Sequence, residues 1–247
     1  MARDTTAAII LATWERAYGL GPVDRGLALL SLAQPTESIA SLAELTIGER
    51  DAGLLDLRSH LFGTEIQSLD ACPSCEEKIE VTFNVSDIRV VPPTLSGTHA
   101  IEVAGGTHVV RAATSADLVA VESLSAARNR RSALLNRCVS RSDGPRDAEP
   151  DAEIIHLAEA DLRVVVDKMS EIDPQADIRI ALDCSQCGHA WSSRFDIASY
   201  LWTEIDAWAQ RLLAEVHALA FAYGWSEGDI LGMSAWRRHI YLGMLRR

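Results

Sequence analysis

The chain contains no apolar run approaching the roughly 20 residues that a bilayer-crossing helix requires, so no such span is expected. Its opening, MARDTTAAIILATWERAYG, lacks the charged head, long apolar middle and small-residue cleavage site of an export signal, and a cytoplasmic location is the expectation. Positive charge is scarce: 23 Lys and Arg stand against 35 Asp and Glu, a net charge of −12. Phosphate contacts need concentrated Lys and Arg, so neither nucleic acid nor an anionic membrane surface is an expected partner. There is no Gly-rich phosphate loop, no GxSxG elbow and no HExxH, and no carboxylates pair in an acid–base context. Gly105-Gly106 alone reads as a turn. These absences argue against an enzyme.

Cysteine is sparse too, with five in 247 residues, and in a reducing compartment they should be thiols or metal ligands rather than disulfides. Four of them form two CxxC knuckles, Cys72-Pro-Ser-Cys75 and Cys184-Ser-Gln-Cys187, about 110 positions apart. Two such pairs are what a tetrahedral zinc site needs. Their frames agree: an apolar residue follows the second cysteine by four positions (Ile79, Trp191) and a phenylalanine by eight (Phe83, Phe195). In a zinc ribbon each CxxC caps a β-hairpin whose next strand alternates its side chains. A thioredoxin-type dithiol instead opens a helix, and strands follow here. Cys72, Cys75, Cys184 and Cys187 are therefore the expected ligands of a structural zinc, closed to water and substrate. Cys138 stands alone and reads as core.

The reading along the chain is α+β: mostly helical, with a small β zinc-ribbon-like centre formed by the two distant knuckles. Residues 1–65 read as a helical unit, with helices over Thr5 to Tyr18, Asp24 to Ala33 and Arg50 to Leu61, a third short one capped by Thr36-Glu37-Ser38, and a capping box at Thr46 to Glu49. Residues 66–91 plus 176–197 make the ribbon-like centre. Residues 92–175 are an α+β insertion: a hairpin over His99 to Ala113, a helix capped at Thr114 to Asp117 and running to about Asn129, a second piece over Ser132 to Val139, a polar loop over Ser140 to Asp151, and a helix over Ala152 to Ile172.

Residues 198–247 form the C-terminal helices. Leu201, Ile205, Trp208, Leu212, Val216, Leu219 and Tyr223 recur at intervals of three and four, predicting one long amphipathic helix that ends at Gly224, with His217 packed on the stripe. Ser226 and Ser234 then cap two shorter helices. Trp, Tyr and Arg are the residue types that anchor protein interfaces. Trp202, Trp208, Tyr223, Trp225, Trp236, Arg237, Arg238 and Tyr241 are accordingly read as a docking surface; the alternative is that the aromatics are the domain's own core.

From Asp173-Pro174 through Leu182-Asp-Cys184-Ser-Gln-Cys187-Gly188-His189, Trp191, Phe195-Asp196-Ile197 and Leu201-Trp202-Thr-Glu204-Ile205-Asp206, the chain resembles the T-even-phage-type baseplate proteins, also described as baseplate hub assembly chaperones. The likeness continues at Glu215-Val-His217, Ala222 to Glu227, Ile230-Leu231, Arg237-Arg238 and Tyr241-Leu242, and more loosely at Trp14-Glu15-Arg16, Asp24-Arg25, Gly48 to Asp51, Leu57 to Phe62 and the first knuckle. The resemblance implies a cytoplasmic, non-enzymatic protein of contractile phage tails or phage-tail-like injection systems that meets hub, spike or tape-measure proteins. It carries over no catalytic residue. A zinc-ribbon module serving nucleic acid or transcription is the competing reading, and the acidic charge opposes it.

Overall fold

The computed structural model describes residues 6–90, 97–103, 106–124, 126–141 and 158–245. The Gly105 side of the expected turn, residues 142–151 of the loop expected from Ser140 and the first residues of the helix expected from Ala152 lie outside them; the loop's first two residues, Ser140 and Arg141, belong to a strand instead.

Four helices open the chain, each started by local chemistry. α1 (Ala7–Ala17) begins where the Thr6 side chain accepts from Ile9 N–H. α2 (Pro22–Ala33) starts two residues before the expected Asp24, because proline suits a first turn that needs no N–H donor. α3 (Ile39–Ala43) is capped by Ser38. α4 (Ile47–Phe62) starts at Ile47 because Thr46 and Glu49 close a reciprocal capping box across its first turn.

Three small antiparallel sheets follow. β1 (Glu65–Ala71) and β2 (Lys78–Asn84) form the first hairpin, in a register from Glu65 opposite Asn84 to Ala71 opposite Lys78. A short α5 (Val85–Ile88) follows it. β3 (Thr98–Val103) and β4 (Gly106–Arg111) pair as the expected second hairpin. Helix α6 (Ser115–Glu122) stops short of the expected Asn129, and α7 (Ala127–Cys138) starts separately before β5 (Val139–Arg141), which pairs with β4. The break is locally closed: Leu124 N–H bonds Val121 O at 3.2 Å and Arg130 donates to Leu124 O at 2.8 Å. Then come α8 (Glu159–Ile172), a 3-10 turn at Pro174–Ala176, and the hairpin of β6 (Arg179–Asp183) with β7 (Ala190–Arg194). The chain closes with α9 (Ile197–Tyr223), α10 (Glu227–Leu231) and α11 (Ala235–Leu245).

One sequence of elements thus occurs twice: helix, knuckled hairpin, helix, as α4–β1–β2–α5 and again as α8–β6–β7–α9. Equivalent positions hold equivalent jobs. Ile66 and Ile178 are both buried, Asn84 and Asp196 both cap the helix that follows, and Val85 and Ile197 both turn into the core.

The main core is built from α2 (Leu27, Leu29, Leu30), α4 (Leu54, Leu55) and the start of α9 (Ile197, Leu201, Ile205), with Ile66, Ile178 and Phe195 entering from the hairpin bases. Burying side chains of this size contributes roughly 1.5–3 kcal/mol each. A second core under the β3–β4–β5 sheet gathers Ile101, Val110, Val139, Val165 and Ile172. The two bodies are joined by polar contacts of fixed geometry, including Gly48 N–H to Asp173 Oδ2 at 2.8 Å and a bridge from Thr46 to Thr114. The long α9 is 27 residues and is capped by Asp196; it ends at Gly224, in the left-handed conformation (φ 68°), where the sequence predicts. Its buried stripe is Leu201, Ile205, Ala209, Leu212, Val216 and Leu219. Trp208 and Tyr223 sit at the stripe's edges, half-buried and exposed respectively, because Ala209 takes the inward position. His217 is not packed on the stripe; one residue past Val216, it points outward and is exposed.

Candidate metal centre

Each knuckle is a tight turn closing a hairpin. Cys72 N–H donates to Glu77 O at 2.9 Å and Glu76 N–H to Cys72 O at 2.8 Å. In the second hairpin Cys184 N–H donates to His189 O and Gly188 N–H to Cys184 O, both at 2.8 Å. The residue after the second cysteine is left-handed in both: Glu76 at φ 62° and Gly188 at φ 72°. Glycine takes that conformation freely, whereas a residue with a Cβ is strained by roughly 1–2 kcal/mol. Glu76 holds it because the turn must present both sulfurs to the same side.

The two tips meet. Cys72 Sγ lies 3.7 Å from Cys187 Sγ, Cys75 Sγ lies 3.6 Å from Cys184 Sγ, and all four sulfurs fall within 4.8 Å of one another. The pairing is reciprocal, first cysteine of one knuckle to second of the other, as a local twofold axis requires. Phe83 and Phe195, equivalent in the two frames, touch edge to face across that axis at 5.3 Å. Four thiolates around an ion at about 2.3 Å would sit about 3.8 Å apart at the corners of a tetrahedron, so the cluster has the size of a four-thiolate metal site. The distances are those of non-bonded sulfurs, not disulfides.

The electrostatics point the same way. Cys72 and Cys184 are buried while Cys75 and Cys187 are exposed. Loss of solvent pushes the Cys72 thiol up, but the N–H groups of Ser74 and Cys75 and the neighbouring thiols outweigh it and bring it down to about 7. The Glu77 N–H draws the Cys75 thiol down, yet desolvation and the three surrounding sulfurs push it to about 12. Thiols packed this closely do not all ionise without a cation between them. With every donor from protein, a bound ion has no open position for water or substrate. Cys138, at the end of α7, is different: burial pushes its thiol up to about 11, next to Asp117, which is the behaviour of an inert core residue.

Below the tips the hairpins are tied to the helices. Phe195 packs on Tyr200 at 5.3 Å, and the Tyr200 hydroxyl donates to Gln67 O at 2.8 Å. The Ser193 hydroxyl beside Asp70, against some desolvation and with help from Ala71 N–H and Trp191, holds the Asp70 carboxyl below the usual range. Arg58 of α4, nearly fully buried, donates to both oxygens of Glu204 on α9 at 2.9 and 3.1 Å and to Gly63 O at 2.7 Å. Sequence periodicity gives no sign of this pair, because its members are 146 positions apart and neither interrupts a pattern.

The eight residues of the expected docking surface are not one patch. Tyr223, Trp225 and Tyr241 come together: Tyr223 stacks on Trp225 at 4.5 Å and Tyr241 meets Trp225 edge-on at 4.8 Å. Trp202 lies under the Arg25 guanidinium, 4.6 Å from the ring centroid, and packs on the main core. Trp208 bridges that core to a cluster of Leu11, Ala209 and Leu212. Arg238 is 4% exposed and binds Glu215 at 3.0 Å, so it braces α11 against α9 instead of offering a surface cation. Trp236, 74% exposed, and Arg237 face solvent. Phe221, another aromatic of this C-terminal stretch, is 87% exposed and stacked on His217.

A family model described as T4 bacteriophage base plate protein matches residues 31–202, from α2 to the start of α9, and so takes in both knuckles. The likeness read in the sequence beyond Trp202 has no counterpart in that match. No curated protein and no solved structure matches the chain.

Proposed function

The chain belongs to the T4 bacteriophage base plate protein family, and on that premise we propose that it is a non-enzymatic assembly protein, a hub assembly chaperone or a baseplate subunit, of a contractile phage tail-like injection system. The family match over most of the chain is the observation that carries this reading. Its proposed partners are the hub, spike or tape-measure proteins, met in the cytoplasm of the producing cell.

The resident ion in this reading is Zn2+, held by Cys72, Cys75, Cys184 and Cys187. Four thiolates in tetrahedral reach select a soft, tetrahedral ion, and zinc bound so completely is structural. Its work is to fasten β1–β2 to β6–β7, and through them α4 to α9. The exposed Trp236 and Arg237 of α11, the helix that also carries Tyr241 of the Tyr223–Trp225–Tyr241 stack, are proposed as the contact for a partner, with Arg238 bracing α11 through Glu215; Trp202 and Trp208 lie far up α9, in the main core, and are not part of that contact. The competing zinc-ribbon module for nucleic acid gains nothing from the structure, because the knuckles are bordered by Asp70, Glu76, Glu77 and Asp183. Among the described residues, no helix is long and apolar enough to cross a membrane.

Quantitative mass spectrometry of purified injection particles against the soluble lysate of the producing cells tests the proposal. A fixed ratio to hub and spike proteins makes the chain a baseplate subunit. Absence from particles, abundance in lysate and failed assembly on gene deletion make it a chaperone. Normal particles in a deletion strain, without the chain in them, overturn both.

A further inference from the structure

The sulfur contacts at 3.7 and 3.6 Å, Cys72 to Cys187 and Cys75 to Cys184, run between the hairpins. Each joins a buried sulfur to an accessible one: Cys72 and Cys184 are 1% and 2% exposed, while Cys75 and Cys187 face solvent. An oxidant arriving from solvent therefore meets Cys75 and Cys187 first. Behind each of these stands a buried thiol that belongs to the other hairpin.

The fold favours bonding across the hairpins over bonding within a knuckle. The hairpin bases are fixed in the main core through Ile66, Ile178 and Phe195, and Phe83 meets Phe195 between them at 5.3 Å. The paired cysteines lie 115 and 109 positions apart in sequence, yet the folded chain already holds them together, so a bond between them closes no new loop in the native state. A bond within a CxxC closes a ring over only two intervening residues. It would have to be drawn against a turn held by Glu76 N–H to Cys72 O and Gly188 N–H to Cys184 O, both at 2.8 Å, and strained disulfides are the easily reduced ones.

We infer that the four cysteines are also an oxidation site, at which a peroxide forms two cross-hairpin disulfides, Cys72–Cys187 and Cys75–Cys184, and the clamp stays closed without its ion. The exposed sulfur of each pair attacks hydrogen peroxide, the O–O bond breaks, and a sulfenic acid and one water result. The buried thiol then attacks that sulfenic sulfur, the S–O bond breaks, and a second water leaves with the thiol's proton. Each disulfide thus gives up two electrons, which one peroxide takes. Each also removes two of the four donors, so an ion held there is released. Cys138, buried at the end of α7 beside Asp117, takes no part. A chain fastened by metal in a reducing compartment would in this way remain fastened in an oxidising one. The inference rests on the sulfur geometry, and on the zinc reading above only for the released ion.

The test treats the purified full-length chain with two molecules of hydrogen peroxide per chain. Zinc content is measured beforehand, and a colorimetric zinc indicator follows release. Peptide mapping without reductant, with fragmentation between the cysteines of each knuckle, should find Cys72 joined to Cys187 and Cys75 to Cys184 in a monomeric chain. The oxidised, metal-free protein should melt at least about 5 °C above the reduced, metal-free protein, because bonds closing loops of this length restrict the unfolded chain. Dithiothreitol should abolish that difference and restore zinc binding. Disulfides confined to each knuckle, covalent dimers, sulfinic or sulfonic acids without a cross-link, or a cross-linked chain no more stable than the reduced one would each overturn the inference. A chain that is purified without zinc and binds none refutes the zinc reading alone, since the mapping and the melting shift are read without metal.

Discussion

Metal linkage gives the sharpest test of the clamp. The ion would sit at the tips of two hairpins whose bases, through Ile66, Ile178 and Phe195, are already in the main core. Removing it should therefore leave the helices folded and free only the tips. The stabilisation follows mass action: a ligand that binds the folded chain alone adds about 1.4 kcal/mol for each tenfold rise in its free concentration above Kd, and about 4 kcal/mol at a thousandfold. A chain of 247 residues shifts in Tm by about 2–4 °C per kcal/mol. Thermal unfolding in metal buffers should thus show Tm rising by roughly 3–6 °C per decade of free zinc once the site loads. Far-ultraviolet circular dichroism should keep its helical signal in chelator, while amide exchange at Glu76, Glu77, Gly188 and His189 quickens. Cys184→Ser removes a buried ligand and should flatten the slope. A Tm that ignores free zinc in the wild type, or a Cys184→Ser variant that retains the full slope, would refute the reasoning.

Three further outcomes are expected. Glu204→Ala strands the guanidinium of Arg58, which is 4% exposed at its side chain; because Glu204 is 24% exposed, the loss should fall near the low end of the range for broken buried pairs, about 3 kcal/mol, read by urea unfolding. Gly188→Ala should destabilise by about 1–2 kcal/mol through its φ of 72°, whereas Glu76→Gly at the equivalent turn should be neutral or stabilising; equal losses at both would remove the left-handed account. Asp117, desolvated but held down to about 2 by Arg111, Thr114 N–H and Arg137, is a lowered acid. Its contribution is complete above the unfolded carboxylate pKa and is lost as pH falls from about 4 through about 2. In Asp117→Asn that acid-induced loss should be missing from the unfolding profile.

The parts of the molecule that announce themselves locally were readable from the residues. Thr46 with Glu49, Ser38, Gly224 and Ser226 each mark a helix end through their own hydrogen bond or backbone angle, and the structure puts the ends there. The two CxxC frames were legible because a knuckle is a short-range motif; that they meet was inferable only because each supplies half a ligand set. What depended on distant partners was hidden. Nothing beside Arg58 signals Glu204, and nothing in residues 232–245 tells that Arg238 is buried while Arg237 is exposed, since the difference is one helical step toward Glu215. The break between α6 and α7 comes earlier than the expected one after Asn129, because Ser123 and Leu124 end a helix by one tightened turn, without a proline or glycine to mark it. His217 was misplaced because apolar neighbours on both sides blur which face of α9 is inward.

The doubled helix–hairpin–helix order has a kinetic meaning. Either half alone offers two sulfurs and would need a second molecule to complete the shell, with assembly then depending on concentration. Joined in one chain, the halves meet by an intramolecular step, so loading of the proposed metal would be first order in protein and would proceed equally well when the protein is rare. The joining also releases the halves from identity. After one hairpin the chain makes four residues of helix and after the other it makes 27, and only an asymmetric pair can close its own site while extending a single long arm away from it.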